Sequence, residues 1–172
     1  MEIFYAPNGN LQIDNATLIF RNFEGRGDTY NRPGDRNFAI RIDDIAMAEE
    51  LRDRGWNVSI KEGRDEDEGP RMHLKVKLAY KERVDNKGNV KITGPNAYLW
   101  SSNNRTVLDR ESIGCLDHIE FSKVDLDIRP FDWVVNGREG RSAWLNSIEA
   151  HQNIDRFQAR YEAMNPEEKL PF

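Results

Sequence analysis

The sequence predicts a mainly β domain, a small barrel or sandwich with short helices, and three observations carry that expectation. Apolar and polar residues alternate with period two over short stretches, as half-buried strands require. Gly, Asn and Pro clusters separate those stretches as turns. Helical spacing is confined to short segments, with no internal repeat in the 172 residues. A chain of that length forms one domain, or one with a short appendage, and is long enough for a sizeable core.

Thr17 to Phe23 alternates as a strand, with Leu18 and Phe20 on one face and Ile19, Arg21 and Phe23 on the other. Gly25 to Asp35 is a Gly/Pro/Asn loop too polar to bury. Phe38 to Ile42 is a second strand. Asp43 or Asp44 then caps a short helix carried by Ile45, Ala48 and Leu51 and stopped at Gly55. Trp56 to Ile60 returns to strand, and the acidic stretch from Lys61 to Pro70 is a solvated loop. Met72 to Tyr80 is the cleanest strand, with Met72, Leu74, Val76 and Leu78 inside and His73, Lys75 and Lys77 outside. Asn86-Lys87-Gly88-Asn89 marks a turn, and Asn103-Asn104 another, between Tyr98-Leu99-Trp100 and Val107-Leu108. Asp109 to Asp117 suits a short helix. Val124 to Arg129 alternates, and Asn136-Gly137 turns the chain into Ser142 to Ile148. Ile154 to Met164 reads as a helix, with Phe157 and Tyr161 one turn apart.

The net charge of -5 argues against a non-specific duplex-DNA coat, which is basic overall. One basic face can still coexist with acid elsewhere. No apolar run approaches the ~18–20 residues that span a membrane. The N-terminus lacks the layout of a signal peptide, and Cys115 is alone, so a reducing cytoplasm is the expected compartment.

Enzyme signatures are missing. The chain has no phosphate loop, no nucleophile elbow and no zinc-protease helix. No cofactor or metal is expected: Cys115-Leu116-Asp117-His118 is half of a zinc spacing, and His73 and His151 stand apart. Asp125 and Asp127 are adjacent outward carboxylates that read either as a solvated strand face or as a magnesium site of a nuclease.

Five arginines fall between Arg21 and Arg41, at Arg21, Arg26, Arg32, Arg36 and Arg41, with Phe23, Tyr30 and Phe38 among them. Single-stranded nucleic acid asks for that combination, guanidinium for phosphate and aromatic faces for unpaired bases. The same region also reads as a mixed solvated loop with core phenylalanines. The expected binding residues are Arg21, Phe23, Arg26, Tyr30, Arg32 and Arg36, with Lys75 and Lys77 beside them, then Arg138, Arg141 and Trp144 on the last hairpin.

That hairpin carries a resemblance. Gly137 to Asn146, a Gly-rich basic turn followed by Ser142-Ala143-Trp144-Leu145-Asn146, resembles a family of phage single-stranded DNA-binding proteins. Arg141 stands in a usually aliphatic place and Trp144 where a Tyr is usual. The resemblance implies an OB-fold-like five-stranded barrel with insertions, short helices and a C-terminal helix or tail, binding single strands without sequence preference. Replication or recombination in a phage-infected cytoplasm would be its setting. The chain's end, Glu167-Glu168-Lys169-Leu170-Pro171-Phe172, resembles the acidic tip of bacterial single-stranded DNA-binding proteins, with Lys169 interrupting the acidic run. By that likeness Glu167, Glu168, Leu170, Pro171 and Phe172 would recruit replication or recombination proteins. The division expected is a binding domain over 1–152 and a helix and tip over 153–172, with a homo-oligomer possible. The alternative is a protein-binding inhibitor whose acidic loop mimics nucleic acid.

Overall fold

The computed structural model describes residues 1–154. Beyond its first residue the helix expected over Ile154 to Met164 lies outside the described residues, as does the tip from Glu167 to Phe172. The rest is mainly β. Its elements are β1 (Glu2–Tyr5), β2 (Leu11–Asp14), β3 (Leu18–Asn22), β4 (Arg36–Ile42), α1 (Ile45–Asp53), β5 (Val58–Lys61), β6 (Arg71–Leu78), β7 (Lys81–Val84), β8 (Val90–Thr93), β9 (Asn96–Ser101), β10 (Asn104–Leu108), a 3₁₀ turn (Ile113–Asp117), β11 (Phe121–Val135) and β12 (Arg138–Gln152).

Ten strands form one sheet along the path β1-β2-β11-β12-β6-β4-β3, with β5 on β6, β9 on β12 and β10 on β9. β7 and β8 make a separate hairpin. The expected mainly β character holds, but no barrel closes: among the described residues the end strands β1 and β3 do not pair, and the sheet stays open.

The cleanest period-two segment sits at the centre. β6 takes β4 along one edge, and β5 and then β12 along the other. Its inward residues Met72, Leu74, Val76 and Leu78 are buried with Phe38 and Ile40 of β4 and Leu145 and Ile148 of β12. α1 is capped by Asp44, whose side chain accepts from the Ala46 amide at 2.9 Å, and the chain leaves it through Gly55 at φ 96°.

β11 and β12 are longer than the alternation at their centres suggests, running 15 residues each around Asn136-Gly137, both left-handed at φ 51° and 77°. Such a pair closes a tight hairpin with the native twist. The register shifts between Asp127 and Ile128, so Leu145 pairs with Ile128 and Ser147 with Asp127, leaving Asn146 as the extra residue. This bulge lets Leu145 and Ile148 both point inward.

Candidate nucleic-acid interface

The outward face of the central strands is built by registry. Asn37 of β4 lies opposite Lys77 of β6, Lys77 opposite Trp144 of β12, and Trp144 opposite Arg129 of β11. One row thus crosses four strands with a cation on each side of an indole. Period two carries the face along the hairpin, placing Arg129, Phe131 and Trp133 on one strand beside Arg138, Gly140, Ser142 and Trp144 on the other. Gly140 is required there, because a Cβ would run into the Trp133 ring.

The β7–β8 hairpin stands over this row and closes a groove of about 870 Å³. Lys81, Arg83 and Lys91 line it from the hairpin, and Arg129, Phe131 and Trp144 from the sheet. Its lining includes no carboxylate. Among the described residues none of its four cations is in an ion pair. Glu82, between two of them, is drawn to Arg110 at 3.4 Å. In a chain of net charge -5 the groove is a concentrated basic site with two aromatic surfaces.

The expected residues sort into three groups. Lys75, Lys77, Arg138 and half-buried Trp144 are on this face. Arg26, Tyr30 and Arg32 are exposed on the loop before β4. That loop is polar but pinned: the Asn22 side chain accepts from the amides of Gly25 and Arg26, and the Asn31 side chain donates to the Arg26 and Asp35 carbonyls. Asn37 donates to Asn31, tying the loop to the row above and leaving Tyr30 97% exposed.

The third group is corrected. Phe23 is 0% exposed and stacks on Phe38, ring centroids 4.9 Å apart, so no base reaches it. Arg21 donates to the carbonyls of Leu116 and Ile119 at 2.8 and 2.6 Å, closing the end of the 3₁₀ turn. Arg36 donates to the carbonyls of Phe23 and Arg110 and lies over the Tyr80 ring. Arg141 points to the opposite face from Trp144. It binds Asp132 through Nε and Nη2 at 2.7 and 3.2 Å, donates to the Arg54 carbonyl and covers the Trp56 ring. These guanidiniums are bound to the protein itself.

Lys81, Arg83, Lys91, Arg129 and Phe131 were missing from the expected set. The alternation of β7 and of β8, with Lys81 and Arg83 on one side of a turn and Lys91 on the other, was the available signal. Asp125 and Asp127 are also accounted for. Asp127 accepts from the side chains of Asn10 and Asn146, while Asp125 accepts from the Asn15 amide and pairs with Lys123. Among the described residues no group of three potential ligands gathers around them.

The family described as "Putative phage ssDNA-binding domain" matches residues 2–169, nearly the whole chain. The chain belongs to this phage single-stranded DNA-binding family. The single-stranded DNA-binding protein of bacteriophage Enc34, solved as a C-terminal truncation, superposes with a TM-score of 0.50 at 13% identity, over 89% of this chain and 91% of that one. The same phage protein in complex with ssDNA gives 0.49 at 13% identity, over 90% and 93%. Bacteriophage T7 gp2.5 gives 0.39 at 14%, over 86% and 94%. At 13% identity the first likeness is one of fold. No curated protein matches the chain.

Proposed function

We propose that this member of the family binds single-stranded DNA without sequence preference along the outward face of β6, β12 and β11, under the β7–β8 hairpin. The observation that carries the reading is the groove: four cations in no ion pair among the described residues, a lining without a carboxylate, and the side chains of Trp144 and Phe131. Cations without fixed base-edge donors hold phosphates of any sequence, and an aromatic face stacks on any base. Lys75, Lys77 and Arg138 extend the basic path, and Arg26, Tyr30 and Arg32, exposed on the loop that Asn31 ties to Asn37, are assigned to its edge. The fold is read as an open variant of the OB architecture.

The same proposal gives residues 1–152 the binding and residues 153–172 the recruitment of replication or recombination partners. Its support is the pattern Glu167, Glu168, Leu170, Pro171, Phe172, where an apolar anchor and carboxylates suit a pocket with a basic rim. A salt titration with labelled oligo-dT tests the binding. Affinity should rise with oligonucleotide length and fall steeply with salt. No binding at low salt would leave the acidic loop and a protein ligand as the better account.

A further inference from the structure

Phe20 is out of place for a strand phenylalanine. Alternation sends it inward with Leu18, yet its backbone is left-handed at φ 52° and its ring is 71% exposed. The β3–β4 register breaks between Ile19 and Asn22, where Phe20 lies. Past the break Phe23 enters the core in contact with Phe38. A left-handed residue with a Cβ is disfavoured, and an exposed Phe ring gains nothing from burial, so both departures run against stability.

The ring lands at a particular place. It meets His73 edge-on, ring centroids 5.7 Å apart, at one end of the outward row His73, Lys75, Lys77. Burial, with Lys61 adding to it, holds the His73 imidazole below its usual range, so near neutral pH it is an uncharged ring. At the other end of the row Lys77 adjoins Trp144.

We propose that Phe20 is a second base-stacking platform for the same single strand, joined to Trp144 by the His73–Lys75–Lys77 row. The inference rests on the face assigned in the preceding section. Four residues of β6 and one strand spacing separate the His73 and Trp144 positions by about 14 Å. At a stacked rise of about 3.4 Å per nucleotide the span from His73 to Trp144 takes roughly four nucleotides, with the Phe20 ring 5.7 Å from the His73 ring. The lysines between the platforms face the phosphates of those nucleotides.

The full chain and its Phe20→Ala, Phe20→Gly and Trp144→Ala variants are titrated with dT4 and dT15, and their Tm values are measured. Phe20→Ala should weaken dT15 binding by about 5- to 150-fold, the range for one lost stacked base. The gain in affinity from dT4 to dT15 should shrink with it. Phe20→Gly should weaken dT15 equally while Tm holds or rises, because glycine relieves the left-handed backbone. Unchanged dT15 affinity in the Phe20 variants, with Trp144→Ala weakened, overturns the platform and leaves the face standing. Unchanged affinity in all three overturns both. A lower Tm in Phe20→Gly makes the ring a structural element and overturns the inference.

Discussion

Lys77 and Trp144 sit opposite one another across the parallel pairing of β6 with β12, an ammonium beside an indole on one exposed face. Neighbouring strands are about 4.8 Å apart. In the proposed function that spacing suits one nucleotide, whose base would lie on the indole while its phosphate met the lysine. On the far side of the indole Arg129 repeats the offer from β11. Under the proposed function the pairing would be a unit of recognition that reads no base edge.

Trp144→Ala is expected to lower oligo-dT affinity by about 1–3 kcal/mol. Trp144 is only half-buried, on the side away from the core, so the variant should keep its fold. Titrations followed by intrinsic fluorescence give the check: the parent should be quenched by oligo-dT, and the variant should lose much of that quenching. Equal quenching in both would assign the signal to the other tryptophans.

The salt dependence should report the groove. Each phosphate neutralised on a single strand contributes about -0.7 to the slope of log K against log salt. Six engaged cations, Lys75, Lys77, Lys81, Arg83, Lys91 and Arg129, would give a slope of about -4. A Lys91→Ala, Arg129→Ala double variant should flatten it by about 1.4 and weaken all sequences alike. A slope that does not move would place the strand elsewhere. Arg36→Ala, by contrast, should lower Tm, because its guanidinium holds two backbone carbonyls.

Much of the fold was legible because burial is one-sided. β6 alternates without a break, and Asp44, Gly55 and Asn136-Gly137 punctuate where the chain turns. β1 and β2 are not legible, because the alternation of Leu11 and Ile13 with Gln12 and Asp14 is only four residues long. The site was less legible. A sequence does not distinguish an arginine that closes a helical turn, as Arg21 does, from one left free, and the groove joins β7–β8 to β11–β12 across some 40 residues of chain. Phe20 and Phe23 exchanged places for one reason. A left-handed residue inside a strand reverses the face of everything after it, and no periodicity announces it.

The tip is testable by its independence from the groove. Deleting Leu170 to Phe172 removes the apolar anchor and the stiffening proline, so partner capture should be lost. Oligo-dT affinity should hold or rise slightly, because the tip carries carboxylates that compete with phosphate for basic residues. Partner contacts of this kind are expected at about micromolar strength, since ordering a tail opposes binding. Weakened DNA binding in the deletion would count against the division of labour.

The Arg141–Asp132 pair should affect stability and not DNA binding, because Arg141 faces away from Trp144. Arg141→Ala removes a forked ion pair, a bond to the Arg54 carbonyl and the cover on Trp56, so Tm should fall while oligo-dT affinity stays near the parent's. The pair also has a pH signature. Hydrogen bonding from Arg141 holds the Asp132 carboxyl below the usual range, with its charge adding to the effect. A carboxyl depressed in the folded state contributes stability above its unfolded value, about 3.9, and loses it as pH falls through the folded value. The Tm gap between the parent and Asp132→Asn should therefore be constant from pH 7 to about 5 and close below about 4. A gap that persists undiminished as pH falls through the folded value would mean that the stability comes from packing of the Arg141 stem on Trp56 rather than from the ion pair.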